Sequence, residues 1–357
     1  MASCKKGTAQ SATTIFSKDM GPLPHNFAGV FINNQFGTTI ALPTKADYPN
    51  VHQKCAIITG SNTGLGLETS RQLLTLGLSH LIMGVRSVEK GTKATESLRC
   101  INPNAKVDVW HLDMESYSSV QEFARRCNTQ LDRIDMVILN AGISPMDFAI
   151  SSETGHEKTI QVNHLSTILL AVLLLPILKS KKPPEQDAPV ITIVNSVMAH
   201  LCKVPNKSIR PFLPSFDDTK IVPWDPQERY GVSKLLCQLF TVKLAAQVCP
   251  EDVIINMVDP GLTKGTGLSR DAKGLVRLGA MAFFSLAGRP VERGAATYVN
   301  AVLGHGKESH GCFLMNCKVS SLSRWYYSDG EEMTRAVWTE TLKELDFAGV
   351  DKIISSL

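Results

Sequence analysis

The chain has 357 residues, 43% of them apolar and 20% charged, with a formal net charge of +4. These values place it in the globular class, with enough apolar residue for a substantial core. They exclude a nucleic-acid footprint: the basic residues are scattered, and the run Lys179, Lys181, Lys182 breaks at Pro183-Pro184 as a solvated loop would. Residues 1–50, rich in Thr, Ser, Asn, Gly and Pro, read as an N-terminal extension without sustained period. Phe27, Val30, Phe31, Ile32 and Phe36 are too apolar for a solvated tail, so part of it is expected to pack on the main domain near the active-site mouth.

From Val51 onward, strand and helix signals alternate. Strands are predicted at 55–59, 81–85, 107–112, 136–140, 190–195 and 254–258. Helices are predicted at 67–76, 118–127, 157–175 and 230–248. Near-continuous apolar strands alternating with helices predict a parallel sheet covered on both faces, with ligands at the carboxyl ends of the strands. The most apolar run, 168–178, carries Pro176 and is far shorter than the ~20 residues of a membrane span; it reads as a buried core helix. Nine cysteines lack metal-like spacing, and no signal peptide is visible, so reduced thiols in a cytoplasmic, metal-free protein are expected.

The candidate functional residues fall at the predicted strand ends. Cys55-Ala56-Ile57-Ile58 runs into Thr59-Gly60-Ser61-Asn62-Thr63-Gly64-Leu65-Gly66, which a helix follows. Glycines let the backbone turn tightly and approach a ligand, and the helix start favours a phosphate. Gly60, Asn62, Thr63, Gly64, Leu65 and Gly66 are therefore candidate cofactor contacts. The second strand ends in Val85-Arg86, and an arginine there suits the 2′-phosphate of NADP. Asp113, after the third strand, is placed to accept from an adenine amino group. Asn140-Ala141-Gly142 ends the fourth strand, where Asn140 can tie neighbouring strand ends together. Asn163 lies in an apolar helix and needs a partner, either as a structural amide or in ordering a water; His164 beside it reads as structural. Ser196 follows the fifth strand. Tyr230 and Lys234 are four residues apart on one helix face, so the ammonium is expected to lower the phenol's pKa toward neutrality. Thr263, after Asp259-Pro260-Gly261-Leu262, is either a loop or cap threonine or a nicotinamide contact.

Together, Thr59-Gly-x-x-x-Gly-x-Gly66, Asn140-Ala-Gly142, Asn163, Ser196, Tyr230-x-x-x-Lys234 and Pro260-Gly261 resemble the short-chain dehydrogenase/reductase family over about residues 51–320. The resemblance implies an α/β, Rossmann-type doubly wound parallel sheet, as a single domain spanning 51–357 after the extension. It implies an NADP(H) cofactor, Tyr230 as acid/base, Lys234 as its partner and ribose ligand, Ser196 as the group polarising a carbonyl, and Asn163 as holder of a relay water. In this family the helices carrying Asn163 and Tyr230 often form dimer interfaces, so a homodimer is a further expectation. Two departures stand out. Ser196 precedes Tyr230 by 34 residues, with an insertion over 201–228 expected to shape the substrate site. A one-residue slip of the fifth strand would put Val197 in the serine position. The apolar segment 268–286 would cover a bulky hydrophobic substrate, with Trp325, Tyr326, Tyr327 and Trp338 closing the same side. The whole pattern resembles fungal members that tailor polyketide-like secondary metabolites by interconverting a ketone and a secondary alcohol. The alternatives are a retinal-like or lipid aldehyde reductase and a non-catalytic NADP-binding regulatory protein.

Overall fold

The computed structural model describes residues 15–24, 27–265, 287–328 and 330–357. Eight strands form one sheet: β1 (Cys55–Thr59), β2 (His80–Val85), β3 (Lys106–His111), β4 (Met136–Leu139), β5 (Val190–Val194), β6 (Ile254–Asp259), β7 (Phe313–Met315) and β8 (Lys318–Ser320). Their order is β3-β2-β1-β4-β5-β6-β7-β8. All neighbours are parallel except β7 and β8. The strand order reverses between β1 and β4, which is where open α/β sheets bind ligands. All six predicted strands are present to within a residue or two at their ends; the β7–β8 hairpin was not predicted.

The helices are α1 (Phe27–Phe36), α2 (Gly64–Leu76), α3 (Val88–Arg99), α4 (Tyr117–Gln130), α5 (Lys158–Lys181), α6 (Pro226–Ala245) and α7 (Val291–Leu303), followed by the C-terminal helices Gly330–Glu344 and Val350–Ser355. Local chemistry sets several of these boundaries. Ser87 and Ser116 cap α3 and α4 by accepting from Lys90 N and Ser119 N. Asp225 accepts from Gln227 N and Glu228 N ahead of Pro226, the first residue of α6. At the end of α2, Gly77 adopts φ +105° and its N–H returns to Leu73 and Leu74 carbonyls.

Successive strand residues point to opposite faces, and the core divides accordingly. Ile57 joins a cluster with Phe123 of α4, Leu170 of α5 and Leu235 of α6. Its neighbour Ile58 joins Leu73 of α2 and Val299 of α7 on the other face. Helix α5 is longer than the apolar run suggested. At 24 residues and mean hydropathy 1.8 it is long and apolar enough to cross a membrane, but 89% of its apolar window is buried inside the protein. It is the core helix expected.

The insertion folds onto the start of α5 and onto helix Gly330–Glu344. Glu340 accepts from Phe212 N and Leu213 N, and Asp217 accepts from Glu157 N and bonds His156 Nδ1. Two aromatics of the insertion, Phe212 and Phe216, are fully buried. Trp338 does not close the Tyr230 side. It stacks on Phe240 at 4.6 Å, ten residues or about 15 Å further along α6. Trp325 and Tyr327 bond inward, to Cys202 O and Ser17 O. The proposed cover at 268–286 lies outside the described residues.

Candidate active site

The glycine turn is built as the spacing predicts. Gly60 and Gly64 adopt φ of +65° and +57°, which suit glycine. A Cβ on Gly66 would lie 2.7 Å from both Gly60 O and Asn140 Nδ2, so no side chain fits there. Asn140 donates to Thr59 O at 2.8 Å, and Ala141 N donates to Thr59 Oγ1 at 2.9 Å, locking the ends of β1 and β4 together. Thr63 stands at the N-cap of α2 in extended conformation and makes no side-chain cap bond. The first N–H groups of α2, beside Leu65, therefore keep their capacity for an anion. Asn62 and Thr63 lie at the surface of this turn. These features fit the diphosphate of a nicotinamide dinucleotide.

Arg86 projects from the end of β2, more than half exposed, and pairs with Glu115 at 3.0 Å. Such an exposed pair is weak and exchangeable. Asp113, after β3, holds Glu115 N through its carboxylate at 2.9 Å and donates its own N–H to Ser119. It thus orders the loop that carries the Arg86 partner.

The catalytic candidates converge from α5, α6 and the end of β5. The α5 segment Gln161–Ser166 is a π-helix, a local widening often found at functional sites. It carries Asn163, which is buried and fully engaged. Its Oδ1 accepts from Ile143 N, while Nδ2 donates to Ile143 O and to Ser233 Oγ. Ser233 in turn donates to Tyr230 O. Asn163 and Lys234 both border Gly142, where a Cβ would stand 3.1 Å from Asn163 Oδ1 and 3.6 Å from Lys234 Nζ. His164 bonds Thr341 Oγ1 at 2.8 Å, and burial drives its pKa down to about 3, so it is a structural imidazole.

Ser196 lies just beyond β5 and caps the turn Val197–His200 by accepting from Met198 N. Its hydroxyl neighbours the Tyr230 phenol and favours the phenolate, whereas Val197 is buried and its N–H donates to Asp259. Of the two positions the sequence left open, it is Ser196 that neighbours Tyr230. Lys234 is buried, donates to Val194 O at 2.9 Å, and lies 5.8 Å from the centre of the Tyr230 ring. One expectation fails here. The Tyr230 phenol is pushed up to about 12, chiefly by removal from water, with the Asp259 carboxylate adding and Ser196 opposing. Burial also lowers the Lys234 pKa. Four-residue spacing brings the two groups close, but desolvation penalises both charged forms.

Several residues of this site carried no signal in the sequence. Asn195 accepts from Ser196 N at 2.7 Å and donates to Lys234 O at 3.1 Å, joining the serine turn to α6. Asp259 accepts from Val197 N and Gly261 N, both at 3.1 Å, linking the serine turn to the loop after β6. Arg289 lies against the face of Gly261, whose Cβ would fall 2.6 Å from its Cζ. Thr263 is buried in that loop and donates to Gly261 O at 3.0 Å. Glu157 and Arg229 form a fully buried ion pair one residue before Tyr230.

A family model described as short chain dehydrogenase matches residues 54–208. Short chain dehydrogenase/reductase mfmJ of Annulohypoxylon moriforme is 48% identical over 96% of this chain and 99% of its own. Short chain dehydrogenase virL of Hypocrea virens is 44% identical over 92% and 94%. Among solved structures, a short-chain type dehydrogenase/reductase from Mycobacterium marinum aligns with TM-score 0.58 at 16% identity, covering 79% of this chain and 99% of that one. The Pseudomonas aeruginosa RhlG/NADP active-site complex aligns with TM-score 0.56 at 18% identity, covering 78% and 98%. Both structural likenesses bear on the fold alone. With whole-length relatives of this kind, the chain belongs to the short-chain dehydrogenase/reductase family of oxidoreductases.

Proposed function

We propose that this protein is an NADP(H)-dependent reductase or dehydrogenase that interconverts a ketone and a secondary alcohol on a hydrophobic small molecule, as a tailoring step in fungal secondary metabolism. The observation that carries the reading is the Ser196–Tyr230 hydroxyl pair beside buried Lys234, at the strand ends next to the glycine turn. Relatives from several fungi support the biological setting. Gly60, Asn62, Thr63, Gly64, Leu65 and Gly66 would hold the cofactor diphosphate, Arg86 the 2′-phosphate, Asp113 and Asn140 the flanks of the cleft, and Thr263 the nicotinamide end. When bound, the nicotinamide supplies or accepts the hydride.

The protein's share is the proton and its position. With its pKa near 12, Tyr230 holds its proton at neutral pH and donates it to a carbonyl oxygen. Ser196 Oγ orients the same oxygen. Lys234 has three donors, one of them on Val194 O, and offers the others to the ribose. Asn163 fixes Ile143 and, through Ser233, the turn of α6 that carries Tyr230.

Tyr230→Phe tests the reading. Turnover with NADPH should fall roughly a hundredfold to ten-thousandfold, the usual scale of acid catalysis, with NADPH affinity kept. A wild-type minus variant difference spectrum should show no phenolate until well above neutral pH. Undiminished turnover would remove Tyr230 from the chemistry, and a wild-type protein that binds NADPH but turns over no carbonyl would favour the regulatory alternative.

A further inference from the structure

The N-terminal extension reaches the site through two adjacent residues of α1, the side chain of Gln35 and the backbone carbonyl of Asn34. Gln35 is buried, and its amide is fully used by backbone far away in sequence. Its Nε2 donates to Leu262 O at 2.7 Å and Ala287 O at 2.8 Å, and its Oε1 accepts from Leu262 N at 3.2 Å. Leu262 directly precedes Thr263. The same stretch pairs with the residues around Arg289: Arg289 N donates to Leu262 O at 2.8 Å and Lys264 N to Arg289 O at 3.1 Å. Next to Gln35, Asn34 O accepts from Arg289 Nη2 at 2.9 Å and from Asn316 Nδ2 at 3.2 Å. The Asn34 side chain lies beside the Asp259 carboxylate, which accepts from Val197 N and Gly261 N.

We propose that Gln35, with Asn34 beside it, is a positioning residue for the cofactor loop: α1 clasps Leu262, directly before Thr263, together with Ala287 and Arg289, and sets where the nicotinamide end of the cofactor is held. This rests on the cofactor reading above. The chemistry favours a specific role over simple packing. Without the Gln35 amide, Leu262 N and Ala287 O would lose the partners named above, and Leu262 O would keep only Arg289 N. The extension thereby becomes part of the binding machinery.

The test separates the two ends of the cofactor. Dissociation constants for NADPH and for adenosine 2′,5′-bisphosphate, which lacks the nicotinamide half, are measured by titration on the full chain together with Tm. Gln35→Glu keeps the acceptor for Leu262 N but sets a carboxylate against two carbonyls; Gln35→Met keeps the shape and loses every bond. Both should weaken NADPH about tenfold or more and leave the bisphosphate unchanged. Ile32→Ala, at an exposed position of the same helix, should change neither. Unchanged NADPH affinity in both Gln35 variants, or equal losses for the two ligands, overturns the clasp. A wild-type protein that binds neither ligand overturns the cofactor reading itself, and the clasp with it.

Discussion

Replacing Glu157 by Gln removes one charge from an ion pair that water does not reach. Glu157 and Arg229 are 0% and 2% exposed, with Oε2 and Nη1 3.1 Å apart. Breaking a buried pair by removing one partner costs about 3–5 kcal/mol, because the remaining charge stays buried. Arg229 keeps some compensation: Nη1 still donates to Phe216 O at 2.8 Å, and the guanidinium lies 5.0 Å and 5.3 Å from the Phe216 and Trp224 rings. Glutamine also keeps an oxygen for Thr159 N. The expected loss is therefore at the lower end, about 3 kcal/mol. Urea unfolding with an unchanged slope measures it. The double variant Glu157→Gln with Arg229→Met buries no lone charge and should recover most of the loss, giving a coupling of about 2 kcal/mol or more. A single-variant cost below about 1 kcal/mol, or additivity in the cycle, would refute the claim that this pair anchors the start of the Tyr230 helix.

Arg86→Ala should weaken NADPH about tenfold to a hundredfold, the scale of charge-assisted hydrogen bonds to a phosphate, and leave NADH affinity unchanged; equal changes in the two titrations would exclude 2′-phosphate recognition. His156 bridges Asp217 at 2.9 Å and Glu344 at 3.2 Å. Burial alone would lower its pKa, but the two carboxylates outweigh burial and raise it to about 9. Because the folded value lies above the ordinary one of about 6.5, the stabilisation is complete below that pH and is lost as pH rises through about 9. The stability advantage of wild type over His156→Asn should therefore shrink by about 2 kcal/mol between roughly pH 6 and 10 in denaturant titrations. A constant difference would mean that the imidazole is not charged in this bridge.

What could be read from the sequence was local. The glycine turn, the Tyr230–Lys234 face and the six long strands depend on spacings of a few residues, and steric rules fix what such spacings become. The β7–β8 hairpin escaped because each strand has three residues and its turn, Asn316-Cys317, adopts positive φ at both positions without a glycine to announce it. Gln35–Leu262 and Asp259–Arg289 escaped for a different reason. Their partners are brought together only by the folded sheet, and a lone Gln in an Asn-rich helix looks like any solvated residue. The Tyr230 pKa was misjudged because proximity is visible in a sequence and desolvation is not.

Asp259 shows how these long-range contacts bear on the chemistry. It is buried, and burial raises its own pKa while the N–H groups of Val197 and Gly261 and the nearby Arg289 hold it down. The same carboxylate adds to the upward shift of the Tyr230 phenol. One side chain therefore ties the serine turn to the cofactor loop and also opposes charge on the phenol between them. Any substitution there alters position and proton affinity together. Lys234 stands 5.8 Å from the centre of the ring, its own charge discouraged by burial. Burial first, and the Asp259 carboxylate after it, keep the phenol protonated; the four-residue spacing alone does not set its charge.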